Sequence, residues 1–212
     1  MRLVGIFGGT FNPIHFGHLR MAQELASALK MDEVKFIPSA NPPHKGNVMV
    51  SAEHRSAMVK LAIANNPLFS VDELELNRTG TSYTIDTLIS LRESLGQDTS
   101  LCLMMGSDAF VKLNTWHRWQ ELLDYAHIVL VQRPSAQPQE ALPAEVEALL
   151  RDHYTDQHVD LANESSGSIM MQQITGQDIS ATGIRGMLGS GESVKYLIPK
   201  EVIEYIQQHH LY

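Results

Sequence analysis

Leu3-Val4-Gly5-Ile6-Phe7-Gly8-Gly9-Thr10-Phe11-Asn12-Pro13-Ile14-His15-Phe16-Gly17-His18 starts as a short apolar run, breaks at two glycines and leads into a helix. Shortness and flanking glycines favour a buried strand over a helix for Leu3 to Phe7. From Gly17 onward Leu19, Ala22, Leu25, Ala26 and Leu29 recur at three- and four-residue steps, which makes one apolar helical stripe. Val34 to Pro38 is the next apolar run, so the chain opens as strand, loop, helix, strand.

The alternation continues. Ser51 is expected to cap a helix carrying Met58, Leu61 and Ala62, which stops before Asn66-Pro67. Phe69, Val71, Leu74 and Leu76 read as one strand with a bulge where the alternation slips. Thr84 is expected to cap a helix with Ile85, Leu88, Leu91 and Leu95 on one face, closed by Gly96. Leu101 to Met105 and Ile128 to Val131 are two more strands, separated by a helical stretch around Glu121 to Tyr125. Beyond them lie a helix at Ala144 to His153, a strand near Ile169 to Gln172, a short helix with Ile184, Met187 and Leu188, and a last helix opened by Pro199. Residues 134–165 are compatible with a linker, an insertion or a surface excursion.

Strands that alternate with helices, several of them apolar on both faces, predict an α/β fold: a Rossmann-like doubly wound parallel sheet with helices on both faces and a small C-terminal helical part. One domain over 1–212 is expected, with its core at 1–178 and the C-terminal part at 179–212. Such sheets bind ligands at the carboxyl ends of their strands, which here means the loops after Phe7, Pro38, Met105 and Val131.

The 212 residues include 16 Lys+Arg and 24 Asp+Glu, a formal charge of −8. A duplex-DNA binder needs a concentrated basic surface, so this balance argues against a nucleic-acid partner. The charge is uneven, with +3 over residues 1–60 and −11 over the remainder, so the N-terminal part can hold a small anion. The lone Cys102 cannot form an internal disulfide, and it sits in the apolar run Leu101 to Met105 as a buried strand residue would. A reducing, cytoplasmic location follows as the expectation. Met1 to Phe7 is too short for a signal-peptide core, and no apolar segment approaches the roughly 20 residues that span a bilayer.

The first loop is neither a G-x-G-x-x-G fingerprint nor a Walker loop. Its glycines let the backbone pass close to a ligand, and the N–H groups at the helix start attract phosphate. His15 and His18, three apart, can both project from that turn and donate hydrogen bonds to phosphate oxygens. A three-histidine zinc site of His15, His18 and His44 is the metal alternative. After the second strand, Asn41-Pro42-Pro43-His44-Lys45 brings a cation that suits a polyphosphate or is simply solvated. Ser180-Ala181-Thr182-Gly183-Ile184-Arg185 combines hydroxyls at a helix start with an arginine one turn inside, a phosphate grip or an ordinary capped helix. Asp108, in Gly106-Ser107-Asp108, can accept from ribose hydroxyls or cap a helix. Trp116 and Trp119 offer a stacking platform for a heteroaromatic ring or a packed pair in the core.

Gly8-Gly9-Thr10-Phe11-Asn12-Pro13 with His15-x-Gly17-His18, joined to Ile179-Ser180-Ala181-Thr182-Gly183-Ile184-Arg185, resembles the nucleotidyltransferase superfamily marked by (H/T)xGH and ISxTxxR motifs. Pro42-Pro43-His44-Lys45, Ser82-Tyr83-Thr84, Gly106-Ser107-Asp108, Thr115-Trp116, Arg133-Pro134 and Leu197-Ile198-Pro199 are similar to features of its nicotinate mononucleotide adenylyltransferases. The family commonly has Asp where this chain has Asn12; either side chain can form an Asx-turn before Pro13.

The resemblance implies a single nucleotidyltransferase domain that transfers AMP from ATP to nicotinate mononucleotide, giving nicotinate adenine dinucleotide and pyrophosphate in NAD biosynthesis, by direct in-line attack. It implies catalytic roles for His15, His18, Lys45 and Arg185. ATP would be held by Gly8, Gly9, Thr10, Phe11, His15, His18, Ser180, Thr182 and Arg185. The mononucleotide would be held by His44, Lys45, Tyr83, Thr84, Asp108 and Trp116, with Trp116 stacking on the pyridine ring. Mg²⁺ would be held mainly by the ATP phosphates, with no metal site of the protein's own, and the chain would act as a monomer or homodimer. A sister enzyme preferring the amide mononucleotide and a catalytically silent nucleotide-binding module are the alternatives.

Overall fold

A computed structural model describes residues 1–41, 50–132, 141–175 and 177–212. Along the chain lie β1 (Arg2–Gly9), α1 (Phe16–Ala28), β2 (Glu33–Pro38), α2 (Ala52–Ile63), β3 (Phe69–Val71), α3 (Thr84–Leu95), β4 (Thr99–Gly106) and α4 (Ser107–Val111). Two 3₁₀ turns, Leu113–Thr115 and Trp119–Glu121, lead to α5 (Leu122–Tyr125) and β5 (His127–Gln132). Then come α6 (Ala144–His153), β6 (Tyr154–Thr155), α7 (His158–Asn163), β7 (Ile169–Gln173), α8 (Ala181–Ser190) and α9 (Lys200–Gln208).

The seven strands form one sheet in the order β3-β2-β1-β4-β5-β7-β6. Every pairing is parallel, with Ile6 opposite Lys35 of β2 on one side and Leu103 of β4 on the other. The expected doubly wound sheet is therefore the observed one. From β1 the chain builds outward to β2 and β3, then returns to place β4 on the far side of β1. The carboxyl ends of β1 and β4 thus flank the point where the winding reverses, the place where such sheets open a ligand crevice.

Alternation along the central strands sends residues to two cores. Leu3, Phe7, Cys102, Met104, Val129 and Val131 pack with Leu25 of α1, Met58 of α2, Ile184 of α8 and Val202 of α9. Val4, Ile6, Leu101, Leu103, Ile128 and Leu130 pack on the opposite face with Leu88 of α3, Leu122 of α5 and Val146 of α6. Leu25 and Leu88 are wholly buried, and each contributes about 2 kcal/mol by leaving water. Burial pushes the Cys102 thiol up to about 12, so it stays a protonated core residue, as its apolar setting in the sequence predicts. No helix among the described residues is long and apolar enough to cross a membrane.

Two local expectations fail. Leu74 and Leu76 do not prolong β3. The chain turns after Val71, with Asp72 accepting the Leu74 N–H at 3.2 Å and Asn77 N–H bonding Glu73 O at 3.1 Å. Phe69 and Val71 pack on one face of the sheet and Leu74 on the other, so the slipped alternation records a chain rounding the sheet edge rather than a bulge. Thr84 is the first residue of α3, not its cap; Tyr83 occupies the cap position without a side-chain bond. Ser51 and Ser180 do cap, accepting from His54 N–H and Gly183 N–H. The stretch 144–165 belongs to the fold, because Val146 and Leu161 enter the two cores and β6 pairs with β7.

At the amino-terminal end of the sheet Arg92 is buried, and its guanidinium donates to four carbonyls: Gly96 and Thr99 at 2.8 and 2.6 Å, Tyr125 and Ser165 at 2.7 Å each. Those carbonyls belong to the α3–β4 turn, the end of α5 and the segment before β7. Arg92→Ala strands buried acceptors, and a loss of about 3 kcal/mol in unfolding free energy is expected by urea denaturation.

Candidate active site

At the carboxyl end of β1 the loop Thr10 to His15 folds back on the strand. Phe11, at φ 46, lays its ring over Gly9, where a Cβ would come within 2.9 Å of the ring carbons. That close approach explains the second glycine. Phe11 also meets the His18 ring edge-on at 5.2 Å and 81°, so the aromatic loop props one histidine.

His15 and His18 stack with ring centroids 3.6 Å apart and planes 25° from parallel. Gly17 permits this, since a Cβ there would lie 3.0 Å from His15 Nδ1. His15 is buried and His18 half-buried. His18 Nδ1 accepts the backbone N–H of His15 at 3.3 Å, so a neutral His18 ring carries its proton on Nε2. Stacked rings direct their nitrogen lone pairs side by side rather than toward a shared ion, a poor start for the zinc alternative. Its third ligand, His44, lies outside the described residues, as do Lys45 and Arg133-Pro134. Among the described residues no group of three or more His, Cys, Asp or Glu can hold a metal.

The motif at the other end of the chain comes to this loop. Arg185, in α8, donates from Nη1 to Asn12 O at 2.8 Å and from Nη2 to Thr182 Oγ1 at 3.2 Å. A guanidinium has five donors, so these two bonds leave capacity for an anion. Ser180 and Thr182 are exposed at the start of α8. Asn12 Oδ1 accepts the Tyr212 hydroxyl at 2.5 Å. Burial pushes the Tyr212 phenol upward, against the opposing pull of Arg185 and Arg55.

Between the carboxyl ends of β1 and β4 a cavity of about 380 Å³ opens, lined by Gly8, Gly9, Thr10, Ser82, Tyr83, Thr84, Gly106, Trp116 and His117, among others. Its size fits a small organic ligand. Of the two tryptophans, Trp116 lines it and Trp119 does not. Tyr83 and His117 pair their rings at 4.4 Å beside it. The twelve-residue α3 begins at Thr84 on the cavity wall, so its N-terminal N–H groups are a place for a carboxylate. Asp108 is exposed in the first turn of α4, outside the cavity lining.

Two buried charged residues of this region escape the sequence reading. Arg55 is 1% exposed and donates to Thr10 O at 2.7 Å, Val50 O at 3.2 Å and Ala40 O at 3.3 Å. Its spacing to Met58 and Val59, three and four residues on, is the signal that puts it on the inward face of α2. Glu75 is 6% exposed, lines the cavity and accepts the Thr87 hydroxyl at 2.7 Å. It follows the misread β3 alternation, which hid it.

The family model described as cytidylyltransferase-like matches residues 6–187. A probable nicotinate-nucleotide adenylyltransferase of Aeromonas hydrophila is 49% identical over 209 residues, covering 99% of this chain and 96% of that protein. One from Pseudomonas aeruginosa is 44% identical over 212 residues, covering 99% and 96%. Among solved structures, the Plasmodium falciparum nicotinic acid mononucleotide adenylyltransferase complexed with NaAD superposes with a TM-score of 0.75 at 17% identity, covering 100% of this chain and 97% of that one. That likeness is one of fold.

Proposed function

The chain belongs to the nicotinate-nucleotide adenylyltransferase family of cytidylyltransferase-like proteins, and from this premise we infer how its site transfers AMP from ATP to nicotinate mononucleotide. The observation that carries the reading is the Arg185–Asn12 bond, which joins the two motifs beside the stacked histidines. In the reaction a 5′-phosphate oxygen of the mononucleotide attacks the α-phosphorus of ATP in line. The bond from that phosphorus to the bridging oxygen breaks, and pyrophosphate leaves. No enzyme nucleophile is needed, so catalysis is positioning plus stabilisation of charge on the phosphoryl oxygens.

His18 donates from Nε2 to the α-phosphate as charge develops there, and His15 lies against it on the same phosphates. Gly8 to Phe11 let the ATP phosphates approach the backbone. Ser180, Thr182 and Arg185 hold the leaving β- and γ-phosphates, while Lys45 and His44 add positive field. Tyr83 and Thr84 present backbone N–H groups to the nicotinate carboxylate, Trp116 stacks on its ring, and Asp108 accepts from ribose hydroxyls. Nucleotidyltransferases generally use a divalent metal with ATP. Imidazole, guanidinium and hydroxyl donors suit the phosphate oxygens rather than a cation, so Mg²⁺ is taken as part of the ATP substrate. The reaction is assigned to the cytoplasm, where the Cys102 thiol stays reduced.

Incubation with ATP, Mg²⁺ and either mononucleotide, with pyrophosphate release as the readout, tests this: faster release is expected with the acid. Faster release with the amide would make it the sister enzyme, and none with either would make it a binding module. His18→Ala is expected to lower kcat by on the order of 10²-fold with a modest change in ATP affinity; near wild-type turnover would remove His18 from the mechanism. Trp116→Ala is expected to raise KM for the mononucleotide and leave that for ATP little changed. Equal effects on both substrates would refute the stacking role.

A further inference from the structure

The loop after β2 is stitched to both halves of the site. Ser39 N–H bonds Gly9 O at 2.9 Å, and Arg55 holds Ala40 O together with Thr10 O. On the other side, the Ala40 and Asn41 N–H groups both donate to Ser82 Oγ at 3.2 Å, Ser82 N–H donates to Asn41 O at 3.1 Å, and Asn41 Nδ2 donates to Gly80 O at 3.1 Å.

With two N–H groups already directed at its oxygen, the Ser82 hydroxyl has its own proton to give. The acceptor beside it is Glu75, whose carboxyl burial pushes upward while the Ser82 and Thr87 hydroxyls, Arg78 and the Ala40 N–H pull it back. Glu75 Oε2 is buried and accepts no hydrogen bond. A buried carboxylate with an unmet oxygen costs stability.

We propose that Arg55 and Glu75 are positioning residues of one buried brace, in which Arg55 and Ser82 hold Ala40 from either side and Glu75 holds α3 through Thr87, fixing the spacing between the phosphate loop at Thr10 and the mononucleotide pocket at Tyr83 and Thr84. Neither residue touches the reacting atoms. Arg55 pins the ATP side through the Thr10 carbonyl, and Glu75 pins the pyridine side through Thr87 near the start of α3. Between Arg55 and Ser82 lies a single residue, Ala40, whose carbonyl faces the arginine and whose N–H faces the serine. In-line attack needs both substrates held at one separation, and a small misplacement far from the chemistry lowers the rate steeply. This inference rests on the adenylyltransferase reading and adds to it the parts that set the distance.

The test uses the full chain and the variants Glu75→Gln, Ser82→Ala, Arg55→Lys and the double variant Glu75→Gln with Arg55→Lys. Binding of nicotinate mononucleotide is followed by calorimetry, beside kcat, both KM values and Tm. Gln puts an NH2 donor where Glu75 has a second acceptor oxygen, beside the Thr87 hydroxyl. Glu75→Gln is therefore expected to weaken mononucleotide binding about 10-fold and to leave KM for ATP within about 2-fold, with Tm unchanged or higher. Ser82→Ala should reproduce that pattern. Arg55→Lys should lower kcat, and the double variant should fall short of the product of the single effects by about 5-fold or more, because one brace is broken twice. Unchanged mononucleotide binding in Glu75→Gln and Ser82→Ala, a fall in Tm with equal loss for both substrates, or strict multiplicativity in the double variant would each overturn the brace. Failure of the wild-type chain to bind the mononucleotide at all would overturn the adenylyltransferase reading, and the brace with it.

Discussion

Parallel pairing is the constraint from which the rest follows. A parallel strand cannot return by a tight hairpin, so each crossover must run over a face of the sheet, here mostly as a helix. All carboxyl ends then fall on one edge. Because the winding reverses between β1 and β4, no crossover covers the gap there, and the backbone of Gly8 to Thr10 and the cavity beside Trp116 are left open to a ligand. The candidate residues that the structure describes lie along that edge or near the starts of helices placed beside it.

Arginine recurs as the means of holding loops that the sheet does not hold. Arg92 gathers four carbonyls at the closed end of the sheet, and Arg55 gathers three at the open end. Arg185 ties Asn12 beside the stacked histidines. The planar fork of a guanidinium suits such work, since it meets several acceptors at once without rearrangement. Loop segments without a ladder partner still need their buried carbonyls satisfied. Charged side chains inside this protein are thus largely a scaffold for irregular backbone, and the site is built from that irregular backbone.

Much of the fold is legible from residue type and spacing. The runs at Leu3, Leu101 and Ile128 are apolar throughout, as strands covered on both faces must be, that at Val34 is interrupted by the half-buried Lys35, and Ala144 to His153 carries a helix with the bounds read from the sequence. The reading fails where apolar residues serve two surfaces in succession. Leu74 continues the spacing of Phe69 and Val71 but packs on the opposite core, and alternation alone carries no information about a chain leaving its sheet. Glu75 was lost with it. Of the two tryptophans, one line of sequence leaves both eligible, and only the cavity distinguishes Trp116 from Trp119.

The sequence by itself determined the strand-and-helix order, the phosphate-friendly turn with its paired histidines, and the Ser-Thr-Arg helix start, because those are local consequences of glycine, helix periodicity and capping. The tertiary structure alone decided that Arg185 reaches Asn12 across 173 positions, that the two imidazoles stack, and that Arg55 and Ser82 meet on either side of Ala40. The physical reason is one of range. Backbone propensity acts over a few residues, whereas a buried charge finds its partner only after packing has brought distant segments within hydrogen-bond reach.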